Sequence, residues 1–296
     1  MKGPAVKPSD TIRREYQAAL QAFVRRMNME LMQEISRAYT SREVALPSTE
    51  VTRDASPVEW LKGKLSDFFD GWHKKINAMA DKRAKWFADQ MEKSSSKQIQ
   101  KMLRDIGFTV EFKNSAYVTG ELEKIIEENV ALMRSIPERM HKKVEKSITH
   151  GLTAGNAQLY IATELQKEFG VTERRARLIA RDQTNKANAA ISIHRSAEAG
   201  IEYGFWLHRS GSKKPRPTHI KMSGYNFKLS EGLHDPDPKV NRKIMPGELV
   251  ACRCAYRPDL SSFRPQLAQD SVIIRPLKTT YADILGRVAN SLKEAA

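Results

Sequence analysis

The chain has 296 residues, of which 40% are apolar, 7% aromatic and 29% charged, and it carries a net charge of +15. No run of about 18 apolar residues is present, which excludes a membrane-spanning helix, and two cysteines placed two residues apart exclude a disulfide framework. The basic balance points to polyanionic partners, nucleic acid first and acidic protein surfaces second, and the start, MKGPAVKPSD, lacks the apolar segment of a secretory signal, so use where the chain is made, or carriage inside a larger particle, is expected.

Residues 1–10 are rich in proline and lysine and read as mobile. From Thr11 to about Arg42, Ile12, Tyr16, Leu20, Phe23, Met27 and Leu31 recur at spacings of three and four, the pattern of an amphipathic helix, with Ser9 or Asp10 as its cap. Residues 43–57 have a linker composition. A second helix is predicted from Pro57 to Lys93, with Trp60, Lys64, Phe68, Trp72, Ile76, Met79, Arg83 and Phe87 along one face. Its opposite face is rich in lysine: from His73 to Arg104, nine Lys or Arg stand against three Asp or Glu. Such a run is either a solvated face or a surface for DNA phosphates or an acidic partner. Lys74, Lys75, Lys82 and Lys85 would make that contact.

Gly107–Tyr117 alternates and reads as a short strand or an extended loop. Gly120–His150 is helical, and Pro137 inside it should kink or split the helix after Ile136. Gly151–Gly155 reads as a turn. Asn156–Phe169 reads as a short helix closed by Gly170, and Thr172 as the cap of another helix running to Gly200. That helix places Ala176, Ile179, Ala180, Gln183, Ala187, Ala190, Ile191, His194 and Ala197 on one alanine-rich face, which lets a partner helix approach closely. Arg174, Arg175, Arg177 and Arg181 near its predicted start oppose the helix dipole, a placement that favours partner binding. Beyond Ile201 the composition changes. Tyr203–His208, Gly224–Leu229 and Leu249–Tyr256 read as strands, separated by a Ser/Gly/Lys/Pro loop at Ser210–Pro217 and a long loop at Gly232–Gly247 that something must pin. The tail from Ser261 contains a predicted helix, Tyr281–Lys293.

Cys252 and Cys254, in a predicted strand, would present both thiols on one face. Together with two histidines from the same segment (His208, His219 and His234 are available) they could hold zinc, with Cys252, Cys254, His219 and His234 as the candidate set. Their spacing is shorter than that of most structural zinc sites, and two small buried residues in a strand is the competing reading. A nuclease could use His219 as general base, with Arg216 and Lys213 holding phosphate. No paired carboxylate or second catalytic histidine accompanies it in a motif, and His219 and Arg216 could instead be hydrogen-bonded within the fold. Phosphate-binding glycine loops, HExxH and GxSxG are absent, which argues against nucleotide hydrolysis. No catalytic or cofactor-binding residue is assigned.

Ala180-Arg181-Asp182-Gln183-Thr184 in the long helix is followed by Gly200, Trp206 in a strand, Arg216-x-x-His219, Gly224 and the closing Cys252-Arg253-Cys254. In order and spacing this resembles the phage Mu F-like minor head proteins, or head morphogenesis proteins. The match covers about 80 residues directly, and the layout is similar from about Leu122. Family members often place an Asp between the Trp strand and Arg-x-x-His, whereas Ser210–Lys214 contains no acid. The resemblance implies a non-enzymatic minor structural protein of a tailed-phage head. Such a protein is associated with the portal inside the capsid and aids head assembly and DNA packaging or ejection. Portal protein, capsid or scaffolding proteins and packaged DNA would be its partners, with no membrane role. It would reside in the virion near the portal vertex, and in the host cytoplasm during assembly. Arg174 and Arg175 join the four lysines as candidate DNA or portal contacts.

The expected fold is α+β and mostly α-helical, with an elongated helical region followed by a small module built on a short antiparallel sheet. Residues 1–118 form the N-terminal helical region and match no known pattern. Residues 119–170 form a helical hairpin region, 171–260 the Mu F-like α+β module, and 261–296 a tail with a helix.

Overall fold

The computed structural model describes residues 1–40, 57–113, 115–153, 157–211, 214–265 and 271–277. Residues 43–56 of the predicted linker and the predicted helix Tyr281–Lys293 lie outside this set. Among the described residues, four long helices, with one short strand between the second and the third, precede a set of further short antiparallel strands, so the fold is α+β and mostly helical.

Helix α1 (Asp10–Thr40) buries Ile12, Tyr16, Leu20, Phe23, Met27 and Leu31, as their spacing predicts. Helix α2 (Pro57–Asp105) runs well past Lys93. Ser94, Ser95 and Ser96 do not break it: the Ser96 hydroxyl donates to Glu92 one turn back, at 2.6 Å, and Ile99, Met102 and Leu103 continue the buried face. That face is also turned from the predicted one. Leu65, Phe69, Trp72, Ile76, Ala80, Ala84 and Phe87 point inward, Phe68, Met79 and Arg83 are half-buried, and Lys64 is exposed. Alanines 80 and 84 mark the inner face better than larger apolar side chains do, because they let neighbouring elements approach.

Helix α3 (Ala116–Thr153) passes through Pro137 without splitting. Proline removes one backbone bond, but Met133, Ile136, Pro137 and Met140 are all buried, and their packing holds the helix together. Helix α4 (Ala157–Glu198) is one helix where two were predicted. Gly170 keeps a right-handed helical backbone. The Thr172 hydroxyl turns back to the Glu168 carbonyl at 2.9 Å instead of capping a new helix. Arg174, Arg175, Arg177 and Arg181 therefore sit mid-helix, where the dipole argument does not apply. Of the predicted turn at Gly151–Gly155, residues 151–153 end α3 and the rest is outside the described set.

The chain divides into two compact units. One comprises residues 1–12, 88–125 and 182 onward, and the other residues 13–87 and 126–181. The second unit is helical. Tyr16 stacks on Phe87 at 4.6 Å, Phe23 meets Trp72 edge-on at 4.9 Å, and Phe69 stacks on His141 at 4.5 Å. The buried Tyr16 hydroxyl donates to Asn129 at 2.7 Å.

In the first unit, strands β2 (Tyr203–Leu207), β3 (Asn226–Lys228) and β6 (Ala255–Pro258) form an antiparallel sheet in the order β3-β2-β6. Residues 1–6, predicted to be mobile, pair along β6. The Val6 N–H donates to the Tyr256 carbonyl at 3.0 Å and the Gly3 N–H to the Pro258 carbonyl at 2.8 Å, and Val6 is buried in the core with Trp206, Phe227, Tyr256 and Ile193. Strand β1 (Phe108–Phe112) pairs with β7 (Val272–Pro276), a segment in which no strand was predicted. The long loop at Gly232–Gly247 is pinned by its own hairpin, β4 (Leu233–Asp235) with β5 (Arg242–Ile244). The Pro-rich segment before Gly224 forms a short helix, α5 (Pro217–Lys221). Strand β6 starts only at Ala255, so Cys252 and Cys254 lie in the turn before it and not in a strand.

Candidate functional site

Helix α4 holds the cysteine turn in place. The Asp182 carboxylate accepts the Ala251 N–H at 2.6 Å, and the Asn185 amide donates to the Cys252 carbonyl at 2.8 Å. Ala251 takes a left-handed backbone (φ 59), which turns the chain sharply just before Cys252. Gly247 (φ 90) lets the same segment lie against the helix, where an added Cβ would come within 3.3 Å of the Ala189 side chain. A left-handed residue fixed by an aspartate is thus what brings the two thiols together.

Both thiols face the same nitrogen. Cys252 Sγ lies 3.4 Å and Cys254 Sγ 3.5 Å from His219 Nδ1. The other ring nitrogen, Nε2, is 3.1 Å from Asp235 Oδ2 on β4. All four residues are buried: His219 is 2% exposed, Cys252 3%, Cys254 7% and Asp235 0%. Trp206 closes one side, edge-on to the His219 ring at 5.4 Å. His208, at the end of β2, places Nδ1 3.8 Å from Cys254 Sγ. The ligand atoms of His219, Cys252 and Cys254 all lie within 4.8 Å of one another, so these three could hold a metal ion.

The electrostatics follow from this packing. The Cys252 thiol is pushed down, first by the hydrogen bond from Cys254 and then, against the cost of burial, by His219. Burial pulls His219 down, but the Cys252 contact and the Asp235 carboxylate outweigh it and raise its pKa. Burial would raise Asp235, but the Asp237 N–H and the His219 ring outweigh it and hold the carboxyl low.

A cavity of about 200 Å³ lies beside the cluster, lined in part by Arg209, Lys214, Arg216 and Arg253. Arg216 donates to the Val250 carbonyl at 3.0 Å and Arg253 to the Gly211 carbonyl, so both arginines brace loops. Gly224 has φ 90, and its N–H donates to the Trp206 carbonyl at 2.8 Å. A glycine there permits the reversal between α5 and β3. Gln183 is buried and Arg181 half-buried on α4. His234 is not brought to the cluster. Its side chain is exposed, because alternation along β4 turns the next residue, Asp235, inward. Sequence reasoning missed Asp235 and Asn185. The signal for Asp235 was its place after His234, hidden by the reading of the segment as a loop. Asp235 gives His219 a carboxylate neighbour, whereas the Ser210–Lys214 loop contains no acid.

With this arrangement in view, comparison with known families is informative: the family described as Phage Mu protein F like protein matches residues 142–257. This segment is similar to the Mu F-like family. It spans the end of α3, all of α4, the sheet and every residue of the His/Cys cluster. The resemblance carried by Arg181 to Cys254 is therefore borne out. A protein of Haemophilus influenzae described only as uncharacterized is 28% identical over 169 residues, which cover 57% of this chain and 36% of that protein. The match thus spans little more than a third of the relative's own length. No solved structure matches the chain.

The basic residues singled out in the sequence belong to the second unit. Lys74, Lys82 and Lys85 are exposed on α2. Lys75 is committed to Glu30 at 2.8 Å and lies over the Trp72 ring. Arg174 is exposed, while Arg175 donates to the Ser135 hydroxyl at 2.9 Å.

Proposed function

We propose that this chain is a minor structural protein of a tailed-phage head that associates with the portal inside the capsid and aids head assembly and DNA packaging or ejection. The observation that carries the reading is the match of residues 142–257 to the Mu F-like family. The net charge of +15 supports contact with packaged DNA or with acidic surfaces of portal, capsid or scaffolding proteins. A non-enzymatic role is supported by His219, the base a nuclease would need. Both its ring nitrogens are engaged and the side chain is buried, so it is poorly placed to take a proton from water or substrate. The protein would sit in the virion near the portal vertex after assembly in the host cytoplasm.

The test is co-expression with the portal protein of the same genome, followed by sedimentation. The expected outcome is a ring-sized complex that holds both chains at low and moderate salt. Separate sedimentation at both salts would refute portal association.

A further inference from the structure

We propose that His219, Cys252, Cys254 and His208 bind one zinc ion as a closed structural site, with Asp235 orienting the His219 ring. The site ties helix α5 to the end of β2 and the turn before β6, two segments brought side by side by the pairing of Leu207 with Ala255.

The distances carry the inference. Zinc binds thiolate sulfur at about 2.3 Å and imidazole nitrogen at about 2.0–2.1 Å, and a tetrahedral angle then sets S and N about 3.6 Å apart. The three S···N separations here are 3.4, 3.5 and 3.8 Å. A hydrogen bond explains one such contact, but a single ring nitrogen with two buried sulfurs at nearly equal distance is the arrangement of ligands around a common centre. The far side of His219 fits as well. Nε2 can donate to Asp235 Oδ2 at 3.1 Å, which leaves the Nδ1 lone pair aimed at the sulfurs. Histidines that bind metal usually donate their second nitrogen to a carboxylate in this way.

Charge balance points in the same direction. Two thiolates and two neutral imidazoles neutralise Zn²⁺, so this ligand set suits a buried site. The turn holding the cysteines is set by groups outside the cluster, Asp182 and Asn185, so the ligands are preorganised by the fold. His208 is half-buried at the cavity edge, 3.8 Å from Cys254 Sγ, and is the proposed fourth donor beside the three mutually close ligands. It closes the site from the solvent side. The site does not depend on the portal reading, and its test uses only the isolated full-length protein.

The experiment is metal analysis of the full chain, purified under reducing conditions without chelator, followed by cobalt substitution. About one zinc per chain is expected. The reduced, metal-stripped protein titrated with Co²⁺ should develop sulfur-to-cobalt charge-transfer absorption and the intense visible bands of a tetrahedral site, and adding Zn²⁺ should raise its melting temperature. Cys252→Ser should lose most of the charge-transfer intensity. Asp235→Asn should keep the spectrum but weaken metal affinity by about 10–100-fold. His208→Ala, at a half-buried position, should keep the charge transfer and weaken the visible bands. Absence of zinc, together with no cobalt spectrum and no melting shift in wild-type protein, would overturn the site even if the cysteine variants fail to fold. An unchanged visible spectrum in His208→Ala would overturn the fourth ligand.

Discussion

Arg195 is 1% exposed, and its guanidinium donates to Glu92 at 2.7 Å, Glu198 at 2.8 Å, the Lys113 carbonyl at 3.0 Å and the Ser96 hydroxyl at 3.1 Å. One side chain thus joins α4 to α2 and to the end of β1, and the Phe112 ring lies 4.7 Å from its charge. Arg195→Met leaves the buried Glu198 carboxylate without the guanidinium that compensates its charge, and a loss of about 3–5 kcal/mol is expected in chemical denaturation. Glu198 also sets an acid limit. Burial would raise its carboxyl, but hydrogen bonds from His194, Ser115 and Arg195 outweigh it and hold the pKa below the ordinary 4.5. Because the folded value is depressed, this stabilisation is complete above 4.5 and is lost as pH falls through the folded value. A melting series from pH 6 to pH 3 should show that loss, and Glu198→Gln should flatten it. At Gly200 the backbone decides the outcome. Its φ is 86, and an added Cβ would stand 1.9 Å from the Arg264 carbonyl oxygen. Gly200→Ala should cost about 1–3 kcal/mol from backbone strain alone, with the overlap in addition. A melting temperature within a degree of wild type would contradict this.

At the scale of elements, α4 offers a clear test. Gly170 is mid-helix with right-handed backbone, and a new Cβ would meet only the far end of Arg174, at 3.4 Å. Gly170→Ala should therefore raise stability by about 0.5–1 kcal/mol in thermal unfolding. A fall would favour the capping role read from the sequence. The long helices were legible because Tyr16, Leu20, Met27 and Leu31 recur at the helical period over many turns. The starts of α1 and α2 were legible too, but the end of α2 and the continuity of α3 and α4 were not. Glycine, proline and serine disfavour helix only weakly compared with the burial that α2, α3 and α4 gain by continuing. β2 and β3 were also legible, with apolar runs next to turn residues. The pairing of β1 with β7 was not, since nothing local in Phe108–Phe112 names a partner more than 160 residues away. The site was half legible. The motif residues Arg216, His219, Cys252 and Cys254 stood out by type and order, but the thiols converge through a left-handed Ala251, and the carboxylate on His219 comes from a hairpin read as a loop.

For the whole molecule, charge is the property that function would draw on. If Lys74, Lys82 and Lys85 meet packaged DNA, replacing all three with Glu should weaken duplex binding. It should also reduce the slope of log affinity against log salt by up to about 2.7, that is 0.9 for each phosphate no longer neutralised. An unchanged slope would move DNA binding to other basic residues and leave α2 for protein partners. The pairing of the first residues with β6 bears on something else, the order of synthesis. Residues 2–6 leave the ribosome about 250 residues ahead of their partners, residues 256–259. Every segment of the second unit, which ends at residue 181, is translated before those partners exist. The helical unit can therefore fold while translation continues, whereas residues 2–6 must wait unpaired. A nascent chain stalled before Tyr256 should accordingly resist protease in the second unit alone.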